Sequence, residues 1–162
     1  MIRQMKLDDI PRVAEIQVFA WRICERDILS DEYLFKQMTV SKRMEYFNNM
    51  LQNDSDENYV FDDGILKAFI TISPCSCEGA LASLQLSSIY VDPCFLRQGI
   101  GAQLLGHVEE IARERDYTEV IVWVLEKNQA AIDFYKKNGY APDGKCSTGG
   151  LGTTEARYRK KI

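Results

Sequence analysis

Residues 84–112 read LQLSSIYVDPCFLRQGIGAQLLGHVEEIA, and their reading decides the fold. Leu84, Leu86, Ile89 and Val91 form an apolar, partly β-branched strand. Asp92-Pro93 ends it, because proline brings no N–H to a ladder and fixes φ. Beyond Arg97-Gln98-Gly99-Ile100-Gly101-Ala102 the spacing changes, and Ile100, Leu104, Val108, Ile111 and Ala112 share one helical face. The unit is therefore strand, glycine turn, helix. The first N–H groups of a helix lack partners inside it, and the helix dipole makes that end positive. Glycines let a phosphate come close to the main chain. Residues Gln98 to Ala102 are expected to hold a phosphorylated ligand; the alternative is an ordinary tight strand-to-helix turn.

Three kinds of cofactor turn have this outline, and the residues separate them. A dinucleotide turn wants Gly-x-Gly-x-x-Gly, but Leu104 occupies the last position. A P-loop wants Gly-x-x-x-x-Gly-Lys-Ser/Thr. Gly139 to Cys146 nearly spells that, yet Cys146 replaces the hydroxyl, and Ser147-Thr148-Gly149-Gly150 is no helix. The third kind fits. The stretch resembles the core motif of the GCN5-related N-acetyltransferases (GNAT), with Gln/Arg-x-x-Gly-x-Gly/Ala after a strand ending like Ile89-Tyr90-Val91-Asp92-Pro93. Arg97, Gln98, Gly99, Gly101, Leu104 and Leu105 conform, while Leu96 stands where the family usually has Gln or Arg. A second motif agrees: Asn128-x-x-Ala131-x-x-Phe134-Tyr135-x-x-x-Gly139-Tyr140 resembles the family's helix after the fifth strand.

The resemblance covers nearly the whole chain and implies an α/β (α+β) acyl-CoA N-acyltransferase fold. That fold is a mixed, mostly antiparallel sheet of about six to seven strands flanked by about four helices, here a single domain over residues 1–162. It implies acetyl-CoA as acyl donor, its pyrophosphate met by N–H groups of Gln98, Gly99, Ile100, Gly101 and Ala102, with Arg97 adding a charge-assisted contact; by itself Arg97 reads equally as a solvated surface arginine. It implies that the pantetheine arm and thioester carbonyl meet main chain of Ile89, Tyr90 and Val91, a donor there acting as an oxyanion hole. Asn128 is implied to contact the arm as well as cap its helix. Tyr135 is the implied general acid for the departing thiolate, since a phenol of pKa about 10 can supply a proton; from spacing alone it reads equally as a core aromatic.

The base is less legible. An amine of pKa near 10 must lose a proton before attack. Related sequences often carry Glu where Gln85 stands, and Glu126 and Glu78 are candidate replacements. The acceptor is expected to be a primary amine of a small molecule or peptide, in direct transfer within a ternary complex, met by the variable part around residues 21–33 and 143–152; Tyr33 reads equally as pocket lining or core, and Trp21 reads rather as core packing. Two other readings remain open: a non-catalytic acyl-CoA sensor or interaction module, favoured by Gln85 and Leu96, and a nicotinamide-dependent enzyme resting on Gly99 and Gly101.

Composition narrows the classes. The chain has 162 residues, 46% hydrophobic, with a net charge of −4 from 20 Lys and Arg against 24 Asp and Glu. That suits one domain with a sizeable core. No basic stripe speaks for nucleic acid. No apolar run approaches the roughly 20 residues needed to span a bilayer, and Met1-Ile2-Arg3-Gln4 opens no secretory h-region. A cytoplasmic protein without membrane partners is expected, and family members are often homodimers. The five cysteines cannot all pair within one chain, and the single histidine, His107, leaves no obvious metal or thiol-activating set.

The remaining elements follow by period and punctuation. Strands are expected at 2–7, 58–62, 65–73, from about 80 or 84 to 91, at 119–125, from 140 and at 153–159. Helices are expected from Asp8 as N-cap to about Glu25, from Ser30 onward with a break near Thr39, from Ile100 to about Arg113, and from Asn128 to Lys137. Asp143 to Gly152 reads as a glycine-rich loop.

Overall fold

The computed structural model of the chain describes residues 1–53, 56–75, 82–149 and 152–162. In chain order its strands are β1 Ile2–Gln4, β2 Glu57–Asp62, β3 Leu66–Pro74, β4 Ser83–Val91, β5 Glu119–Leu125, β6 Ala141–Thr148 and β7 Thr154–Lys161. Its α-helices are α1 Ile10–Cys24, α2 Val40–Asn53, α3 Ile100–Glu114 and α4 Gln129–Lys137. The strands form one sheet in the order β1-β2-β3-β4-β5-β7-β6. β1–β2, β5–β7 and β6–β7 are antiparallel, and β4–β5 is parallel.

The chain gathers into two compact units, Met1–Thr71 with Ser88–Leu104, and Ile72–Ser87 with Leu105–Ile162. The first owes its core to the apolar face of α1, where Ile10, Val13, Ala14 and Ile16 are buried with Phe47 and Met50 of α2, Val60 of β2 and Phe69 of β3. Phe47 and Phe69 meet edge to face at 5.4 Å between centroids, an arrangement favoured by the ring quadrupoles. The second unit buries Leu105, Val108, Ile111 and Ala112 of α3, and Val120, Ile121, Val122 and Val124 of β5. The unbroken apolar run of β5 is thus that of a strand covered on both faces.

β4 is the strand that carries Ile89, Tyr90 and Val91, where contacts with the donor's arm are expected. It pairs in parallel with β5 over Ser83–Leu86 and Glu119–Val122, then runs on to Val91. On its β3 side, Cys75 N–H donates to Ser83 O at 3.0 Å and Asp92 N–H donates to Lys67 O at 2.8 Å. The path from Lys67 to Cys75 is eight residues and that from Ser83 to Asp92 nine, so β4 carries one extra residue. Such a bulge re-aims the strand's last residues.

Three local expectations are corrected. Asp8 does not cap α1: a single 3-10 turn, Leu7–Asp9, precedes the helix, and the Asp9 carboxylate accepts from Lys6 N–H at 2.7 Å. The second helical region divides at Thr39 as expected, but its first part is one π-helical turn, Tyr33–Gln37. Residues 143–148 are strand, not loop. The register of β6 on β7 shifts between Pro142 and Cys146, and this irregularity absorbs the proline and glycine that read as loop signals.

Candidate functional site

In the first unit, Asp92 launches the glycine turn. Its Oδ1 accepts from Cys94 N–H at 2.8 Å and its carbonyl accepts from Phe95 N–H at 2.8 Å, closing the turn Pro93–Phe95. Its Oδ2 accepts from the Arg12 guanidinium of α1. Asp92 is buried, and burial opposes its charge. The Cys94 N–H and Arg12 outweigh that and hold the carboxyl below 3.8.

The chain then enters the left-handed region twice, at Arg97 (φ 61°) and Gly99 (φ 79°). A non-glycine residue there is strained and persists only where surrounding structure imposes it. Arg97, Gln98 and Gly99 are exposed, whereas Ile100 is buried at 4% exposure and anchors the start of α3. Gln103 N–H donates to Gly99 O at 3.1 Å, so the N–H groups of Ile100, Gly101 and Ala102 precede the helical ladder. Left-handed residues at a helix start turn successive N–H groups toward a common concavity suited to an anion. The residues present therefore fit a diphosphate.

Ile89, Tyr90 and Val91 close β4 in the same unit and are half-buried. The Tyr90 ring packs against Phe69 at 5.5 Å and Trp21 at 6.5 Å, and burial pushes its phenol up to about 12. Tyr90 is thus a core residue by its side chain, leaving its main chain for any contact with a ligand. Trp21 also packs on Tyr33 at 6.0 Å.

In the second unit, Asn128 caps α4, its Oδ1 accepting from Ala131 N–H at 3.0 Å. Tyr135 lies on the inner face of α4 at 5% exposure, its ring 5.3 Å from Phe134 and 5.7 Å from Tyr140. Gly139 follows the helix at φ 87°, the left-handed stop expected from its place in the sequence. Tyr140 N–H returns to Tyr135 O at 3.0 Å, locking that stop.

The candidate bases fare differently. Gln85 donates to Ser87 Oγ at 3.4 Å. Glu126 is exposed, and the Cys146 thiol donates to its carboxylate at 3.7 Å. Burial first, and Glu126 second, push that thiol up, so Cys146 is poorly suited as a nucleophile. Glu78 lies outside the described residues. Among the described residues no three His, Cys, Asp or Glu side chains converge as a metal site, and no helix is long and apolar enough to cross a membrane. Sequence reading missed Arg12 and the carboxylate of Asp92; their separation of 80 residues hides the pair, and only the polar position of Arg12 within an amphipathic helix hinted at it.

Comparison with known proteins agrees with this geometry. The model of the acetyltransferase (GNAT) family matches residues 16–140. An uncharacterized N-acetyltransferase of Bacillus subtilis, YuaI, is 26% identical over 146 residues, covering 88% of this chain and 79% of that protein. Among solved structures, the PaiA N-acetyltransferase of Thermoplasma acidophilum in complex with coenzyme A superposes with a TM-score of 0.78 at 21% identity, covering 100% and 98% of the two chains. The ribosomal-protein-alanine N-acetyltransferase of Brucella melitensis does so with 0.73 at 24% identity, covering 100% and 99%. With the strand, turn and helix in place and the family match spanning them, the chain belongs to the acetyltransferase (GNAT) family, and its activity is that of an N-acetyltransferase.

Proposed function

We propose that the chain transfers the acetyl group of acetyl-CoA directly to a primary amine of a small molecule or peptide. The observation that carries this reading is the turn before α3, where Arg97 and Gly99 are left-handed and the N–H groups of Ile100, Gly101 and Ala102 precede the helical ladder. Gln98 to Ala102 hold the diphosphate by main chain, and Arg97 adds a guanidinium. Main-chain groups of Ile89 to Val91 orient the arm and polarise the thioester carbonyl, because β4 continues past its ladder with β5. The thioester supplies an activated acyl group, and the amine forms the new C–N bond while the C–S bond breaks. Tyr135 gives its proton to the leaving sulfur and is restored by the proton that the amine nitrogen loses on becoming an amide, and Asn128 fixes the start of the helix that carries Tyr135.

Calorimetric titration with coenzyme A tests the donor site, and thiol release from acetyl-CoA across an amine panel tests the reaction. Saturable heat and amine-dependent thiol release are expected. Tight coenzyme A binding with no thiol release for any amine favours a non-catalytic acyl-CoA sensor. Absence of coenzyme A binding at millimolar concentration overturns the donor assignment.

A further inference from the structure

From one position on α1, Arg12 reaches two other strands and a neighbour on its own helix. Its Nε donates to Leu66 O at the start of β3 (3.3 Å), its Nη1 to Glu15 (3.3 Å), and its Nη2 to Asp92 at the end of β4. Asp92 is the last fixed point before the glycine turn: besides Arg12 it holds Lys67 O, Cys94 N–H and Phe95 N–H. The Asp92 side chain is only 6% exposed, so its charge depends on the guanidinium beside it. Phe95 is pinned in turn by the Lys67 ammonium, 4.9 Å from its ring centroid, and Lys67 is held by Asp63 at 2.6 Å. Four residues separate Asp92 from the strained Arg97. Leu96 between them is 46% exposed and gives no anchor.

We propose that Arg12 is a positioning residue for the donor's diphosphate, acting through Asp92 on the path of the turn that ends in Arg97 and Gly99. This rests on the reading of that turn as the diphosphate site. The physical reason is that a left-handed arginine is an unfavourable backbone state and must be imposed from outside. The pair of half-buried Arg12 and buried Asp92 imposes it at one end and Ile100 at the other. Releasing the first end lets the turn relax, and its N–H groups no longer converge. The contacts of the ligand's arm with β4 main chain do not depend on this.

Arg12→Gln and Asp92→Asn in the full chain test the idea, each titrated with coenzyme A and with pantetheine, which has the arm and thiol but no diphosphate. The dissociation constant for coenzyme A is expected to rise about tenfold in each, with the double variant no worse than either, while that for pantetheine stays within about twofold. Arg12→Lys keeps a point charge but not the bridge to Leu66 O, and is expected to recover part of the loss. Asn at 92 keeps the acceptor for Cys94, so this variant carries the test if Arg12→Gln does not fold. Equal weakening of pantetheine, or unchanged coenzyme A affinity against a binding wild type, overturns the positioning role alone. A wild-type chain that binds pantetheine but gains nothing from the diphosphate overturns the reading beneath it as well.

Discussion

Tyr135 and Tyr90 show how differently one residue type is used. Tyr90 spends its ring on the core beside Phe69 and Trp21, and its phenol is raised to about 12 by burial. Tyr135 sits at the end of a short helix locked by Asn128 at one end and Gly139 at the other. Tyr135→Phe keeps the ring contacts to Phe134 and Tyr140 and removes one oxygen. Turnover is expected to fall about 100-fold with coenzyme A affinity kept within about twofold. Steady-state rates beside calorimetry check it, and undiminished turnover removes Tyr135 from the mechanism. The raised Tyr90 pKa favours its neutral form in the folded chain. Its contribution to stability is complete below pH 10, the ordinary phenol value, and is lost as pH rises through about 12. Denaturation at graded alkaline pH should show that loss shrink in Tyr90→Phe.

At the scale of elements, the turn before α3 is where backbone strain and the proposed diphosphate site coincide. A Cβ at Gly99 meets nothing within 4 Å, so Gly99→Ala opposes only the φ of 79°. A left-handed L-residue costs about 1–2 kcal/mol. The variant is expected to lose that much stability in urea or to abandon the turn, weakening coenzyme A binding in either case. Undiminished coenzyme A affinity in this variant would detach the turn from the ligand. Element types were largely legible: the alternation of β4, the unbroken run of β5, and the 3.6 period of α3 each map to a burial requirement that fixes secondary structure locally. Where reading failed, at residues 143–148, pairing with β7 overrode turn-like residues. At Asp8 the hydrogen bond of Lys6 N–H to Asp9 displaced the expected cap.

For the whole molecule, the ion pairs of two buried carboxylates are expected to set the acid limit. Burial opposes the charge on Asp143, but the Arg157 guanidinium (Nε to Oδ2 2.8 Å) and the Lys145 N–H outweigh it and hold the carboxyl below 3.8. Asp92 behaves likewise through Cys94 and Arg12. Both folded values are depressed, so their stabilisation is full above pH 3.8 and is lost as pH falls through the lower folded values. Urea denaturation between pH 6 and pH 2 is expected to show falling stability at the acid end, with a shallower slope in Asp143→Asn. An unchanged slope removes Asp143 from the acid limit. Phe47→Ala, in a fully packed site against Phe69, is expected to cost about 3–5 kcal/mol by the same denaturation.

Sequence alone determined the order of elements, the glycine turn, the cap at Asn128 and the place of Tyr135, because each depends on period, capping or backbone freedom within a few residues. Only the tertiary structure decided that Arg12 meets Asp92, that β4 carries an extra residue, that Arg97 is left-handed, and that residues 143–148 join a strand. Those facts rest on pairings between segments distant in sequence, which no local pattern encodes: a buried carboxylate must find its counter-charge wherever the fold brings one.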